Sequence, residues 1–194
     1  MSKKTKDKLI NSALNLIDEK PFYQVTTKEI AKRSGLAEIT LFRHFSSKDT
    51  ILDILTDQFF KLIIGFKTQD IKSEEDFRCE LIKYFQRAVR SDPIHRKMFK
   101  VFLYIGMYKK KTFFKYSRIY EKEIVGPIEA VVRNGIDHWG YKKNLDVEIS
   151  VKLLINSIGF FNIIQNVFML KELDEYNFDS IIEIGVDNFL TSLK

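Results

Sequence analysis

A single cysteine, Cys79, is all the thiol chemistry that 194 residues offer. It excludes an internal disulfide and suits a reducing compartment. With no partner cysteine or activating cluster beside it, Cys79 reads as a helix residue rather than a redox sensor. Prolines number three and glycines eight, and apolar–polar alternation is nowhere sustained, so an all-α chain is expected. The three histidines, His44, His95 and His138, lie far apart, and no His/Cys/acid spacing suits a metal. No phosphate-binding loop, nucleophile elbow or paired-carboxylate motif occurs, so neither an enzyme nor a metal or cofactor site is expected.

Long hydrophobic runs are also scarce. Leu153–Leu170 carries no charge over eighteen residues, at the lower edge of a membrane-spanning helix. Asn156, Ser157, Asn162, Gln165 and Asn166 are spread through it, and these polar groups are costly in lipid. The expectation is a buried helix in a soluble, cytoplasmic protein with no membrane partner. The start, Met-Ser-Lys-Lys-Thr-Lys, precedes no signal-like apolar run and reads as a basic arm.

What the chain does have is charge at one end. Residues 1–48 hold ten Lys/Arg against five Asp/Glu; residues 49–194 hold twenty-two against twenty-one. Nearly all of the formal +6 therefore lies in the first quarter, as phosphate binding requires.

That quarter contains the most specific stretch, residues 26–48, TTKEIAKRSGLAEITLFRHFSSK. Thr26 or Thr27 can cap a helix, with Lys28 and Glu29 in its first turn. Ile30 and Ala31 are its apolar pair. Ser34-Gly35 stops it, because glycine tolerates the left-handed conformation of a sharp turn. Leu36, Leu41 and Phe45 then mark the buried side of a second helix, leaving Glu38, Thr40, Phe42, Arg43 and His44 facing outward. An ordinary helical hairpin explains the turn and the apolar spacing. It does not explain the outward Thr-x-Phe-Arg-His cluster beside a basic flank, which suits contact with groove and phosphates. The window reads as a helix-turn-helix.

The pattern from about Leu9 to Leu55 resembles the N-terminal domain of the tetracycline-repressor (TetR) family. The resemblance implies that Thr27 and Lys28 meet the DNA backbone, and that Glu38, Ile39, Thr40, Phe42 and Arg43 sit in or beside the major groove. His44 and Lys48 would hold phosphates. Four positions depart from the family pattern. Phe42 stands where Tyr is usual and lacks a hydroxyl donor. Ala37 replaces a frequent capping Ser, weakening that cap by roughly 1 kcal/mol. Ile39 replaces a common Gly, and Glu38 is acidic where neutral or basic residues are frequent.

Elsewhere helical periodicity predicts segments at 4–19, 48–66, 74–90, 93–106, 110–139, 146–171 and 177–193, about nine helices with the two in the window. Pro127 should kink the longest. The expected division is 1–47, a three-helix DNA-binding head, and 48–194, a helical ligand-binding and dimerisation domain. The helix from 48 belongs to both and is able to carry movement between them.

Aromatic residues concentrate in the second part. As a group they either fill a core or line a largely apolar cavity, and both readings stay open. The candidate pocket comprises Phe99, Phe102, Phe113, Tyr120, Phe161, Asn162 and Gln165. Ile155, Gly159 and Asn166 on one helix, with Ile182, Val186 and Phe189 on the last, form the candidate dimer seam. Together these features predict a homodimeric repressor that binds a pseudo-palindromic double-stranded DNA operator and is released by a small hydrophobic ligand. A nucleoid- or division-associated DNA-binding protein of the same fold, without an inducer, is the alternative.

Overall fold

The computed structural model describes residues 3–89, 92–168 and 177–194, with the side chains of Asn166 and Val167 also outside the description. No strand occurs among the described residues. The α-helices are α1 (Lys3–Glu19), α2 (Thr27–Ser34), α3 (Glu38–His44), α4 (Lys48–Ile63), α5 (Glu74–Ala88), α6 (Pro93–Tyr108), α7 (Lys110–Tyr120), α8 (Gly126–His138), α9 (Val147–Asn162) and α10 (Phe178–Leu193). A 3₁₀ turn, Phe22–Gln24, follows α1.

α7 and α8 are the two halves of the segment expected at 110–139. A π-turn, Glu121–Val125, joins them without a break, so the all-α class stands and nine continuous helical rods remain among the described residues. The π-turn lets the backbone N–H of Gly126 reach back to the carbonyl of Glu121. It places Pro127 in the first turn of α8, where a missing N–H is tolerated. The expected proline kink is thus a wider turn just upstream. A second π-turn, Ile163–Val167, ends α9. The expected extension to 171 lies outside the described residues.

The chain forms two compact units. The first is Met1–Lys61 with Asp92–Phe114; the second is Leu62–Ser91 with Lys115–Lys194. The head expected at 1–47 lies inside the first unit, together with α4 as far as Lys61 and all of α6. In its core Leu9, Ala13, Ile30, Leu41, Ile51 and Leu55 are fully inaccessible. Phe59 packs there against the rings of Phe60, Phe99 and Phe102, with centroids 5.6, 5.1 and 5.2 Å away.

The second unit centres on Phe77, Leu81, Ile128, Val132, Val151 and Val186. Arg78 joins α5 to α10 by donating to both carboxylate oxygens of Asp187, at 2.6 and 3.0 Å. α9 and α10 approach closely at Gly185, where a Cβ would lie 3.3 Å from Ile158 Cγ1 and Cδ1. α9 is largely apolar, its two charges Glu148 and Lys152 pairing with each other near its start. Its inner face, Val151, Leu154 and Ile158, is buried, while Ile149, Leu153 and Phe160 are 56%, 66% and 59% exposed. By length and composition alone Val147–Gln165 is able to cross a membrane, yet only 28% of it is buried within the chain. The buried helix expected from the sequence is therefore covered on one side only.

Candidate nucleic-acid interface

α2 starts with a closed capping box. Thr26 is the N-cap; its hydroxyl accepts from Glu29 N at 3.2 Å, and the Glu29 carboxylate accepts from Thr26 N at 2.9 Å. Two N–H groups that a helix start leaves open are satisfied reciprocally. Lys20 also donates to Glu29. This hydrogen bond, with those from the Thr26 backbone and hydroxyl, brings the Glu29 carboxyl down to about 2. Arg33 at the other end of α2 forms a forked pair with Glu19, so both ends of α2 are tied to the end of α1.

Gly35 ends α2 at φ 70°, ψ 28°, its N–H directed at the carbonyls of Ala31 and Lys32. Leu36 N bonds Ala31 O at 3.0 Å, completing a left-handed stop that only glycine adopts without strain. α3 begins after Ala37, which supplies no side-chain cap. Leu41 and Phe45 anchor α3 in the core at 0% and 2% exposure. Ile39 and Phe42 stand out at 63% and 53%, with Arg43 exposed and Thr40 and His44 half-buried. A large isoleucine and a phenylalanine held in water on a seven-residue helix are unusual unless another surface covers them.

Two of the residues expected at DNA bond to each other. Thr27 Oγ1 donates to Glu38 Oε1 at 2.5 Å, joining the starts of α2 and α3. Lys28 is exposed beside them. The Lys48 ammonium, expected at a phosphate, donates inward here to the carbonyls of Phe22 at 3.0 Å and Val25 at 2.7 Å. It also lies 4.6 Å from the centre of the Phe22 ring. Burial lowers its pKa against the pull of Asp49, and Lys109 adds to the lowering. The cause is the 3₁₀ turn Phe22–Gln24, which brings the Phe22 and Val25 carbonyls together within reach of the ammonium and which the sequence signals only through Pro21 and Phe22.

Sequence reasoning also missed α6 as a brace for the head. Asp18 on α1 accepts from Lys100 at 2.6 Å and Arg96 at 3.2 Å. Partial burial pushes the Asp18 carboxyl up, but these two cations bring it below its ordinary value. Lys97 donates to Asn15 at 2.7 Å, and Tyr104 meets Phe22 edge-on at 5.4 Å. Charged residues spaced along α6 were the available signal.

The candidate pocket residues divide between the units. Phe99 and Phe102 are engaged by Phe59, and half-buried Phe113 lies beside Phe114, all in the first unit. Tyr120, Phe161, Asn162 and Gln165 belong to the second. Phe161 is 50% exposed and Gln165 half-buried. Asn162 is fully buried; its Nδ2 donates to Val89 O at 2.7 Å, and its Oδ1 has no partner among the described residues. The buried Tyr120 hydroxyl likewise has no partner among the described residues, and burial pushes it up to about 12.

Of the dimer seam, Ile182, Val186 and Phe189 are 1%, 0% and 6% exposed. They pack into the core of their own unit, Phe189 meeting Phe77 at 6.4 Å. Ile155 and Gly159 are half-buried, with open space where a Gly159 Cβ would stand. The side chain of Asn166 lies outside the described residues.

Residues 9–54 match the family model for bacterial regulatory proteins of the tetR family. The HTH-type transcriptional regulator YvkB of Bacillus subtilis (strain 168) is 33% identical over 54 residues. That stretch is 28% of this chain and 29% of that protein, so less than a third of the relative's length is spanned. Across the whole chain the likeness is one of fold. The fatty acid degradation regulator FadR from Bacillus halodurans superposes with a TM-score of 0.74 at 15% identity, covering 100% of this chain and 98% of that one. The TetR family transcriptional regulator PfmR from Thermus thermophilus gives 0.71 at 16% identity, covering 96% and 98%. Residues 9–54 thus match the tetR-family N-terminal domain, and the chain as a whole shares the all-helical fold of these regulators.

Proposed function

We propose that the protein is a homodimeric, cytoplasmic repressor that binds a pseudo-palindromic operator and is released by a small, largely apolar effector. The observation that carries the DNA reading is α3, which exposes Ile39, Phe42 and Arg43 from a helix pinned by Leu41 and Phe45. Charge supports it. The first unit holds seventeen Lys/Arg against nine Asp/Glu and the second fifteen against seventeen, so the excess of +8 travels with α3 and the −2 is elsewhere. On this reading Lys28 and Arg43 meet phosphates, while Thr40 and Phe42 reach base edges or the thymine methyl. Glu38, held by Thr27, is aimed to accept from a cytosine amino group.

Dimerisation is supported by the outer stripe of α9. Ile149, Leu153 and Phe160 recur on one face, and a second copy is the covering surface that a tetR-type fold makes available. Two α3 helices would then meet half-sites about 34–36 Å apart or a multiple of that spacing. Effector binding in the second unit is supported by Asn162 Oδ1 and the Tyr120 hydroxyl. Buried polar atoms are rarely left unpaired, and these two suit an apolar ligand carrying a polar group. Release follows if the effector binds more tightly to a conformer in which the heads are displaced.

The test is binding of the purified protein to duplexes from its own upstream region and to scrambled duplexes of equal length. A salt-dependent preference for the former is expected, and equal affinity for both at every salt concentration rejects the regulator reading. Thr40→Ala should change which sequence is preferred more than it changes overall affinity; a uniform loss across sequences removes Thr40 from base readout.

A further inference from the structure

The charge of the first unit has a second source. From Pro93 to Phe114 the sequence contains no Asp or Glu in twenty-two residues, against six Lys/Arg. Four of these cations are engaged near the head: Arg96 and Lys100 with Asp18, Lys97 with Asn15, and Lys109 with Asp49 at 2.7 Å. Lys110 and Lys111 are different. Both are exposed, and neither has an acidic partner among the described residues. They also stand in the first turn of α7, where the helix dipole disfavours positive charge. Folding gains nothing from two unpaired lysines at that end.

Their position is fixed by neighbours on both sides. Lys109 holds Asp49 in the first turn of α4, five residues beyond the end of α3. Tyr108 lies 6.4 Å from Tyr23, in the short turn that leads into the Thr26 cap of α2. The α6–α7 turn therefore touches both places where the chain enters and leaves the helix-turn-helix. Tyr23 and Tyr108 are 60% and 59% exposed there, and Met107 64%. Phenolic hydroxyls are good donors to phosphate oxygens, and Phe42 supplies none on α3.

The geometry points to the α6–α7 turn, with Lys110 and Lys111 as its free charges, as a second anchor for the DNA backbone, gripping phosphates that flank the groove occupied by α3. The occupant is a polyanionic duplex rather than a protein. The surface is basic, with Asp49 engaged by Lys109 and Asp53 one turn further along α4 as its neighbouring carboxylates, and it is continuous with the helix-turn-helix in one compact unit. This anchor rests on the DNA-binding reading above but is separate from the recognition helix. It reads no bases and adds affinity to every sequence.

The test is Lys110→Gln with Lys111→Gln in the full-length protein, titrated with a mixed-sequence duplex of about 40 base pairs across a range of salt. Each phosphate contact contributes about 0.9 to the slope of log affinity against log salt, so the slope should fall by about 1.8 per protomer. Affinity near 0.1 M salt should drop by an order of magnitude or more, with helicity and melting unchanged. Lys110→Arg with Lys111→Arg should keep the wild-type slope, because the charge is kept. An unchanged slope in the glutamine variant overturns the anchor while leaving the α3 reading intact. A wild type without salt-dependent duplex binding overturns both. Wild-type binding to phosphatidylglycerol vesicles, lost in the glutamine variant while its DNA slope is unchanged, assigns the turn to a membrane surface instead.

Discussion

In the first unit the large apolar residues left in water, among them Ile39, Phe42, Met107 and Tyr108, stand among a net charge of +8 from seventeen Lys/Arg and nine Asp/Glu. In the second unit Ile149, Leu153, Phe160 and Ile184 are as exposed, but the net charge is −2. Exposed apolar surface has a different meaning in the two settings. Beside uncompensated cations it suits a polyanion, with charge providing long-range attraction and the aromatic and aliphatic groups fitting a groove at short range. On a helix with no charge between Leu153 and Phe168, it suits burial against another apolar face, an attraction that salt does not screen. The first kind of surface weakens steeply with salt and the second does not.

Three substitutions test that contrast. The largest effect is expected from Leu153→Asp, which places a charge in the centre of the α9 stripe. Removing a central apolar contact and adding an unpaired carboxylate should weaken self-association by about 2–4 kcal/mol. Analytical ultracentrifugation should then find a monomer at concentrations where the wild type is a dimer, with thermal unfolding of the first unit unaffected. An unchanged sedimentation coefficient removes α9 from the interface and breaks the comparison.

Lys48→Met comes next. It deprives the Phe22 and Val25 carbonyls of a charged donor while keeping the aliphatic stem, and should cost about 1–2 kcal/mol of stability given that the ammonium is partly solvated. Melting should fall while the salt slope of DNA binding is nearly constant. A slope reduced by about one unit without loss of stability would return Lys48 to a phosphate.

Glu29→Gln is the smallest and the most specific in its pH dependence. The carboxyl titrates near 4.5 when unperturbed and at about 2 in the folded chain. Its contribution is therefore complete above about pH 4.5 and is lost as pH falls toward 2. Wild type and variant should differ in melting temperature at pH 7 and converge near pH 2. A difference that persists at low pH shows that the charge of Glu29 is not what matters.

The parts of the fold that sequence made legible are those whose stabilising contacts are local. The Thr26–Glu29 box spans three residues, Gly35 marks its own turn, and Leu41 and Phe45 are one helical turn apart. Each can be read from a short window because the partner lies within it. The direction of Lys48 depended on carbonyls twenty-three and twenty-six residues away. The bracing of Asp18 by Arg96 and Lys100 spans about eighty. On α10, periodicity correctly found the apolar stripe of Ile182, Val186 and Phe189, but not which neighbour it faces. An apolar seam looks the same whether it meets its own chain or another. Ile184 lies away from that buried stripe and is 60% exposed.

The membership of α6 in the first unit has a consequence for how the protein is made. Residues 62–91 form an excursion after which the chain returns to complete the unit it left. A ribosome that has released only the first sixty residues has delivered the whole helix-turn-helix, yet Asp18 still lacks both of its cations and Phe59 still lacks Phe99 and Phe102. The nascent head must wait, with an aromatic ring and a carboxylate uncovered, until Phe102 has emerged. Such long-range closure is slow relative to local helix formation. Stop codons or slow synthesis within 62–91 would therefore leave a recognisable but unfinished head, prone to capture by chaperones or proteases, rather than a small independent DNA-binding peptide.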